Sequence, residues 1–374
     1  MSVGDDTRLA IVVPTLLPGL RYWAPYVEML QQQGLQVQMF TAIPPEERVH
    51  FPIRVVKGWW IPLGTGHSTR GITIMSPRLI AELLRWHPDV IMAIEYSMAS
   101  VWCILAARMS GRRLFIYQEH RNQEELPRMR RAYRRRIVTL ADGVIANTLA
   151  AHDEVVQTLG IDTRKVFDIP ILTPPSQEVL RQQPVVLESP KVRPLFLYVG
   201  QLIPRKNVKT LLEAAHVLRR QGLEFSVWLV GDGPLRQSLE VARDRLGLRD
   251  TVRFLGPIPY SSTGFVYELC DVFVMPTNFD YRCVAVLEAM RFAKPVIDSK
   301  LDGNAGDAVR HGDNGLVFNP ASADELAESL ARFIKDQFLI QEMGGRSAQI
   351  MADQSITRAL AQLTHLIRAS GPEG

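Results

Sequence analysis

Cysteine is scarce in this chain: Cys103, Cys270 and Cys283 are the three in 374 residues. They are too few and too scattered for a disulfide framework or a zinc site, so a reducing, cytoplasmic compartment is expected. The amino terminus, MSVGDDTRLAIVVP, has acids where a secretory signal needs a basic region. No uninterrupted apolar run approaches the roughly 18 residues of a spanning helix. The chain is therefore expected to be soluble, or at most peripheral on the inner face of the cytoplasmic membrane. Low-complexity tracts, short-period repeats and metal-ligand clusters are absent from the pattern. So is GxGxxG, since the first strand-to-helix turn reads PTLLPGLRYW (14–23), which disfavours a nicotinamide dinucleotide enzyme.

What is present is enough apolar residues, 47% of the chain, to fill two sizeable cores. Short β-branched or aromatic runs alternate with amphipathic helical patterns, the mark of parallel sheets covered by helices. In the first half the strand candidates are 9–14, 37–40, 89–94, 113–118 and 143–147, and in the second 194–200, 225–233, 251–256, 271–276, 295–299 and 315–320. Between them, residues 169–194 hold six prolines that interrupt both periodicities. The expected organisation is an α/β chain of two Rossmann-like domains, 1–170 and 194–350. A Pro-rich hinge joins them over 171–193, and a carboxy-terminal helix in 351–374 packs back on the first domain. Open parallel sheets bind ligands beyond the carboxyl ends of their strands, so two facing sheets imply an interdomain cleft.

The residues that follow strands bear this expectation. GQLIPRKN (200–207) puts Arg205 and Lys206 just before a helix, where free amides and the dipole favour an anion. In VGDGPLRQSL, Gly231 and Gly233 flank Asp232, a pattern that suits either a close ligand or a tight turn. DYRCVAVLEAM (280–290) spaces two carboxylates, Asp280 and Glu288, across a strand-to-helix turn.

MPTNFDYRCVAVLEAMRFAKPVI followed by DGNAGDAVRHGDNGLVF resembles the carboxy-terminal half of the retaining glycosyltransferases of family four, which have the GT-B fold. The likeness extends upstream through VGQLIPRKN, VGDGPLRQSLE and TVRFLG, covering about residues 195–320 in order. It implies that Glu288 holds the ribose diol of a nucleotide sugar, and that the amides of Cys283, Val284 and Ala285 meet the pyrophosphate. It also implies that Arg205 and Lys206 neutralise the leaving diphosphate, that Asp280 faces the donor sugar, and that Gly231 lines the nucleotide site. In the first domain it points to Gly19 in LLPGLRY as the glycine-loop residue and to His120 in FIYQEHRNQ as the catalytic histidine, with Glu119 beside it toward the acceptor. Where the family usually has Glu and nearby glycines, this chain reads Asp280, Tyr281, Arg282 and Cys283, so Tyr281 and Arg282 are expected to add bulk near the sugar. Asn304 replaces the second glycine of a later pair and Asp307 stands where Glu is common.

The reaction so implied is transfer from a UDP- or GDP-linked sugar to an acceptor hydroxyl with retention, by a hexosyl-type enzyme that needs no metal or cofactor. Two alternatives stay open: a non-catalytic sugar-nucleotide-binding protein and a GT-B sugar-nucleotide epimerase. The acceptor is expected to be a glycan or lipid-linked sugar of cell-surface polysaccharide, lipopolysaccharide or glycolipid synthesis. The net charge of +4 lies entirely in residues 1–170, which hold 20 Lys+Arg against 16 Asp+Glu, and much of it in RMRRAYRRR, the run from Arg128 to Arg136. On a helix the stripe Met129, Tyr133, Ile137, Leu140 would face the core and leave the arginines to an anionic membrane. Trp59 and Trp60 suit either an interface or the core. Stacking aromatics do not interleave with the arginines beyond Tyr133, so nucleic acid is not expected.

Overall fold

All eleven apolar runs fold as strands in the computed structural model, which describes residues 7–14, 20–42, 51–62, 71–119, 127–170, 177–185, 187–190, 192–354 and 356–369. Two units emerge: Met1–Leu172 with Ile356–Gly374, and Thr173–Ser355.

In the first unit the strands are β1 (Arg8–Val13), β2 (Gln36–Thr41), β3 (Ile53–Val55), β4 (Gly58–Pro62), β5 (Gly71–Met75), β6 (Val90–Ile94), β7 (Arg113–Gln118), β8 (Gly143–Ala146) and β9 (Val166–Asp168). Seven of them form a parallel sheet in the order β3-β2-β1-β6-β7-β8-β9, while β4 and β5 pair antiparallel. Strands such as β1 and β6 are apolar at successive positions because both faces of a parallel sheet are covered. The cover comes from α1 (Leu20–Gln32), α2 (Arg78–Trp86), α3 (Met98–Ser110), α4 (Arg128–Leu140) and the short α5 (Leu149–Asp153).

The arginine-rich α4 packs differently from expectation. Ile137 is buried and Leu140 half-buried, but Met129 is 87% exposed and Tyr133 also faces solvent. The reason lies in Arg134, whose Nη1 is 2.5 Å from the buried Glu154 carboxylate and whose guanidinium lies 4.8 Å from the Tyr96 ring centre. This turns the stripe Arg134, Ile137, Val138, Ala141 inward, at i, i+3, i+4 and i+7. Trp59, on β4, is 61% exposed and so is not a core residue.

The second unit holds β10 (Leu195–Val199), β11 (Ser226–Val230), β12 (Val252–Gly256), β13 (Val272–Met275), β14 (Val296–Ser299) and β15 (Gly315–Phe318), all parallel in the order β12-β11-β10-β13-β14-β15. Its helices are α6 (Val208–Arg220), α7 (Arg236–Arg245), α8 (Thr263–Leu269), α9 (Val284–Arg291), α10 (Ala323–Lys335) and α11 (Phe338–Asp353). The final helix, α12 (Ile356–Arg368), belongs to the first unit. Its Leu360, Leu363 and Ile367 join a core with Leu9 and Trp23, and Thr364 Oγ1 donates to Gln33 Oε1 at 2.6 Å.

Candidate active site

The second sheet reverses its strand order between β10 and β13: β11 and β12 lie on one side, β14 and β15 on the other. Such a switch point leaves a crevice beyond the carboxyl ends of the strands. The segments after β10, β13 and β14 follow the strands at that point, and they bring together Arg205, Lys206, Asp280 and Cys283.

A 3-10 turn, Pro204–Lys206, precedes α6 and carries the two cations. Both turn to one carboxylate. Lys206 Nζ lies 2.5 Å from Asp280 Oδ2, and Arg205 Nη1 lies 2.8 Å from the same oxygen. The turn is tied to the loop after β13, since the Asn278 amide donates to the Arg205 carbonyl at 2.8 Å and Thr277 Oγ1 donates to it at 3.0 Å. Lys206 is buried and also donates to Cys283 Sγ at 3.4 Å. Burial works against its positive charge, but Cys283, Asp280 and Tyr198 more than offset this, and its pKa rises above the ordinary lysine value. The Cys283 thiol is driven far up by burial. Asp280 Oδ1 accepts from the Tyr281 amide at 3.1 Å, so both of its oxygens are engaged.

Cys283 caps α9, and Glu288 sits four residues into that helix. Glu288 is 3% exposed. Tyr260 donates to its Oε1 at 2.6 Å and Tyr267 to its Oε2 at 2.7 Å. Burial raises the Glu288 pKa, and the two hydroxyls pull it part of the way back. These tyrosines were not anticipated from the sequence. The available signal is general: a buried tyrosine hydroxyl needs a partner, here a carboxylate 28 and 21 positions away.

The Cys283 amide, expected to meet pyrophosphate, donates to Asp302 Oδ1 at 3.3 Å. Asn304 gives the same oxygen its amide and its Nδ2, each at 2.9 Å. Residues 280 and 302 pair as an isolated parallel bridge. The approach is so close that a Cβ on Gly303 would overlap the Tyr281 carbonyl oxygen. Burial and the nearby Asp280 raise the Asp302 pKa to about 6, and burial with Asp302 raises that of Asp298 as well. Asp280, Cys283 and Asp302 each offer an atom able to ligate a metal, all within 4.8 Å of one another.

Other candidates find different places. Gly231 has φ 125°, and a Cβ there would lie 2.0 Å from the Gly200 carbonyl oxygen; backbone packing at the strand ends explains the glycine. Arg282 is buried against Asp307 at 2.9 Å and donates to Gln354 Oε1 at 3.0 Å, so it braces the loop against the end of α11. Tyr281 is exposed and packs edge-on to Phe279. Gly19 and His120 lie outside the described residues, while Glu119 is buried beside Glu95, whose Oε1 accepts its amide at 3.0 Å.

The chain belongs to the family-four, group 1 glycosyltransferases. The model described as Glycosyltransferase Family 4 matches residues 21–171, and that described as Glycosyl transferases group 1 matches 181–350. The chain is 29% identical over 180 residues to an alpha-D-kanosaminyltransferase of Streptomyces kanamyceticus, covering 48% of this chain and 46% of that protein. It is 28% identical over 186 residues to the lipopolysaccharide core biosynthesis glycosyltransferase LpsE of Rhizobium meliloti, covering 50% and 53%. It thus spans about half the length of these curated relatives. Among solved structures, Anabaena HepE in complex with UDP superposes with a TM-score of 0.72 at 20% identity, over 97% of this chain and all of that one. That likeness shows the GT-B fold expected from the sequence.

Proposed function

We propose that this protein is a retaining glycosyltransferase, moving a hexosyl group from a nucleoside diphosphate sugar to an acceptor hydroxyl in cell-surface polysaccharide, lipopolysaccharide or glycolipid synthesis. The observation that carries the reading is the Arg205–Asp280–Lys206 constellation at the head of α9, with Glu288 in the same helix. The first amides of a helix have no partner within it, so Val284 and Ala285 offer donors to a diphosphate. Lys206, held in place by Asp280, supplies positive charge where the leaving group develops its negative charge. The Glu288 carboxylate can accept from two vicinal hydroxyls, with the ribose taking over from the half-buried Tyr260.

Asp280 is poorly placed to be a nucleophile, because two cations and an amide already engage its oxygens. Retention then falls to the departing phosphate, which takes the acceptor proton on the face where the sugar is attacked, as the family resemblance implies. The UDP held by HepE makes a uridine nucleotide the first donor to test. The relatives in lipopolysaccharide and glycoside synthesis support a glycan or lipid-linked acceptor.

The experiment is release of nucleoside diphosphate from a panel of UDP- and GDP-sugars, with UDP affinity measured alongside. Turnover of one donor, greatly reduced in Lys206→Ala while UDP still binds, is expected. UDP binding with no turnover of any donor would favour the non-catalytic binder, and a changed sugar without an acceptor the epimerase.

A further inference from the structure

The first unit holds a cavity of about 820 Å³ between α12 and the β7–β8–β9 end of its sheet. That volume falls within the range of about 300–1,000 Å³ usual for small-molecule sites. On the sheet side the floor is aromatic. Phe115 of β7 and Phe167 of β9 meet edge to face, with ring centres 5.9 Å apart. They reach each other across β8 because position 143 is glycine, where a Cβ would lie 2.7 Å from the Phe167 ring. On the helix side the wall is Gln362, Leu366 and Ala369, one face of α12 by their spacing. This face lies beside the stripe of Leu360, Leu363 and Ile367 that enters the core. The small side chains of Ala361 and Ala369 add no bulk to it.

The charges that line the cavity restrict its ligand. They are Arg113, Asp142 and Asp168. Asp142 Oδ2 accepts the Leu114 amide at 2.8 Å, and His152 Nδ1 lies 2.8 Å from Asp168 Oδ1. With one guanidinium against two carboxylates, an anionic head group meets no surplus of positive charge. Both carboxylates are already engaged, so a cationic head has no dedicated counter-ion either. Gln362 offers a donor and an acceptor suited to a hydroxyl. The position in the chain is also specific. The chain leaves the first unit after Leu172 and returns to it at Ile356, so the cavity is walled by the last strand before the departure and by the helix of the return.

We propose that this cavity binds an uncharged single-chain lipid, with its chain on Phe115, Phe167 and Leu366 and a hydroxyl head at Gln362. An occupant would rest against both connecting segments and damp their movement. It should therefore slow sugar transfer while leaving UDP affinity unchanged, because Lys206 and Glu288 lie in the second unit; this consequence rests on the glycosyltransferase reading.

The test is displacement of N-phenyl-1-naphthylamine, a neutral dye that fluoresces in apolar sites, from the full-length protein by 1-lauroylglycerol. Laurate and dodecyltrimethylammonium serve as charged counterparts, all below micelle formation. One site per chain is expected, with 1-lauroylglycerol bound several-fold more tightly than either ion. Ala361→Trp and Ala369→Trp enter the cavity from exposed helix positions, so each should keep the fold, checked by circular dichroism, and weaken binding by about tenfold. Hydrogen exchange should slow at 166–169 and 361–369 and not at 284–291. No displacement by 1-lauroylglycerol from the wild type overturns the proposal, and so does binding that survives both Trp substitutions. Laurate bound as tightly as the neutral lipid overturns the uncharged head. Binding that appears only after deletion of 370–374 assigns the cavity to the chain's own end and overturns the lipid. Donor turnover that ignores saturating 1-lauroylglycerol overturns the effect on transfer. Absence of turnover with every donor counts against glycosyl transfer, while the displacement titration still decides the site.

Discussion

Lys206 Nζ lies 2.5 Å from Asp280 Oδ2 across 74 positions of sequence, the ammonium buried and the carboxylate close to it. The pair stands on two loops that follow neighbouring strands, β10 and β13. A buried ammonium keeps its charge only with a partner, so Asp280 does two things: it maintains Lys206 as a cation and fixes where that cation sits.

Removing the partner should therefore cost more than removing the charge from the exposed side of the cluster. Asp280→Ala leaves Lys206 buried and unpaired, and a loss of about 3 kcal/mol in unfolding free energy is expected. Arg205→Ala deletes a side chain that is 42% exposed and should cost less than about 1 kcal/mol. Urea denaturation of the two variants checks the order; equal losses would mean that Lys206 does not depend on Asp280.

Glu288 should separate into a stability part and a binding part. Tyr267 is fully buried, and Tyr267→Phe strips one oxygen of a buried carboxylate of its donor, at about 1–3 kcal/mol of stability. Tyr260 is half-exposed, so Tyr260→Phe should cost less and leave UDP affinity unchanged or raised, because the ribose no longer has a hydroxyl to displace. Glu288→Ala should weaken UDP binding by roughly 1.5–3 kcal/mol. Calorimetric UDP titrations of the folded variants are the measurement, and an unchanged affinity in Glu288→Ala would rule out the ribose role.

Asp302 predicts a pH dependence whose sign is set by its raised pKa. The native state keeps a proton on this carboxyl up to about pH 6, while the unfolded chain releases it near pH 4. Between these values the native state binds more protons, so stability falls as pH rises from about 4 through 6. Asp302→Asn should flatten this fall. Melting temperatures at pH 5 and pH 7, for wild type and variant, provide the check; an identical slope in both would show that the carboxyl does not titrate in the native state.

The strands were legible because a run such as Leu195–Val199, buried at successive positions, has no polar face to confuse its period. The site segments were legible because they follow those strands. By contrast, β3 and β9 are three residues long and carry no readable alternation. The helix α3 is apolar around much of its circumference, so a helical stripe does not stand out. The pairing of both cations with Asp280, the tyrosines on Glu288 and the use of the Cys283 amide by Asp302 are tertiary contacts between loops. Local spacing carries no signal for them. The same applies to Arg134, which reads as one more surface arginine until Glu154 is seen beside it.

The surface of α4 makes the last prediction. Arg128, Arg130, Arg131, Arg135 and Arg136 are exposed, and among them Met129 projects with 87% of its surface free. Among the described residues no helix is long and apolar enough to cross a membrane, so attachment through this helix would be peripheral. Each cation near an anionic bilayer contributes about 1 kcal/mol. Burying a methionine side chain in the interface adds up to about 1.5–3 kcal/mol. Arg134 must be left intact, because its removal breaks an ion pair with the buried Glu154. Co-sedimentation with anionic vesicles should therefore be strong for the wild type and fall with added salt. It should drop by more than about tenfold when Arg128, Arg130 and Arg131 are changed together to Ser, and by less for Met129→Ser alone. Neutral vesicles should retain little protein. Binding that ignores lipid charge, salt and all of these substitutions would place membrane attachment elsewhere on the chain.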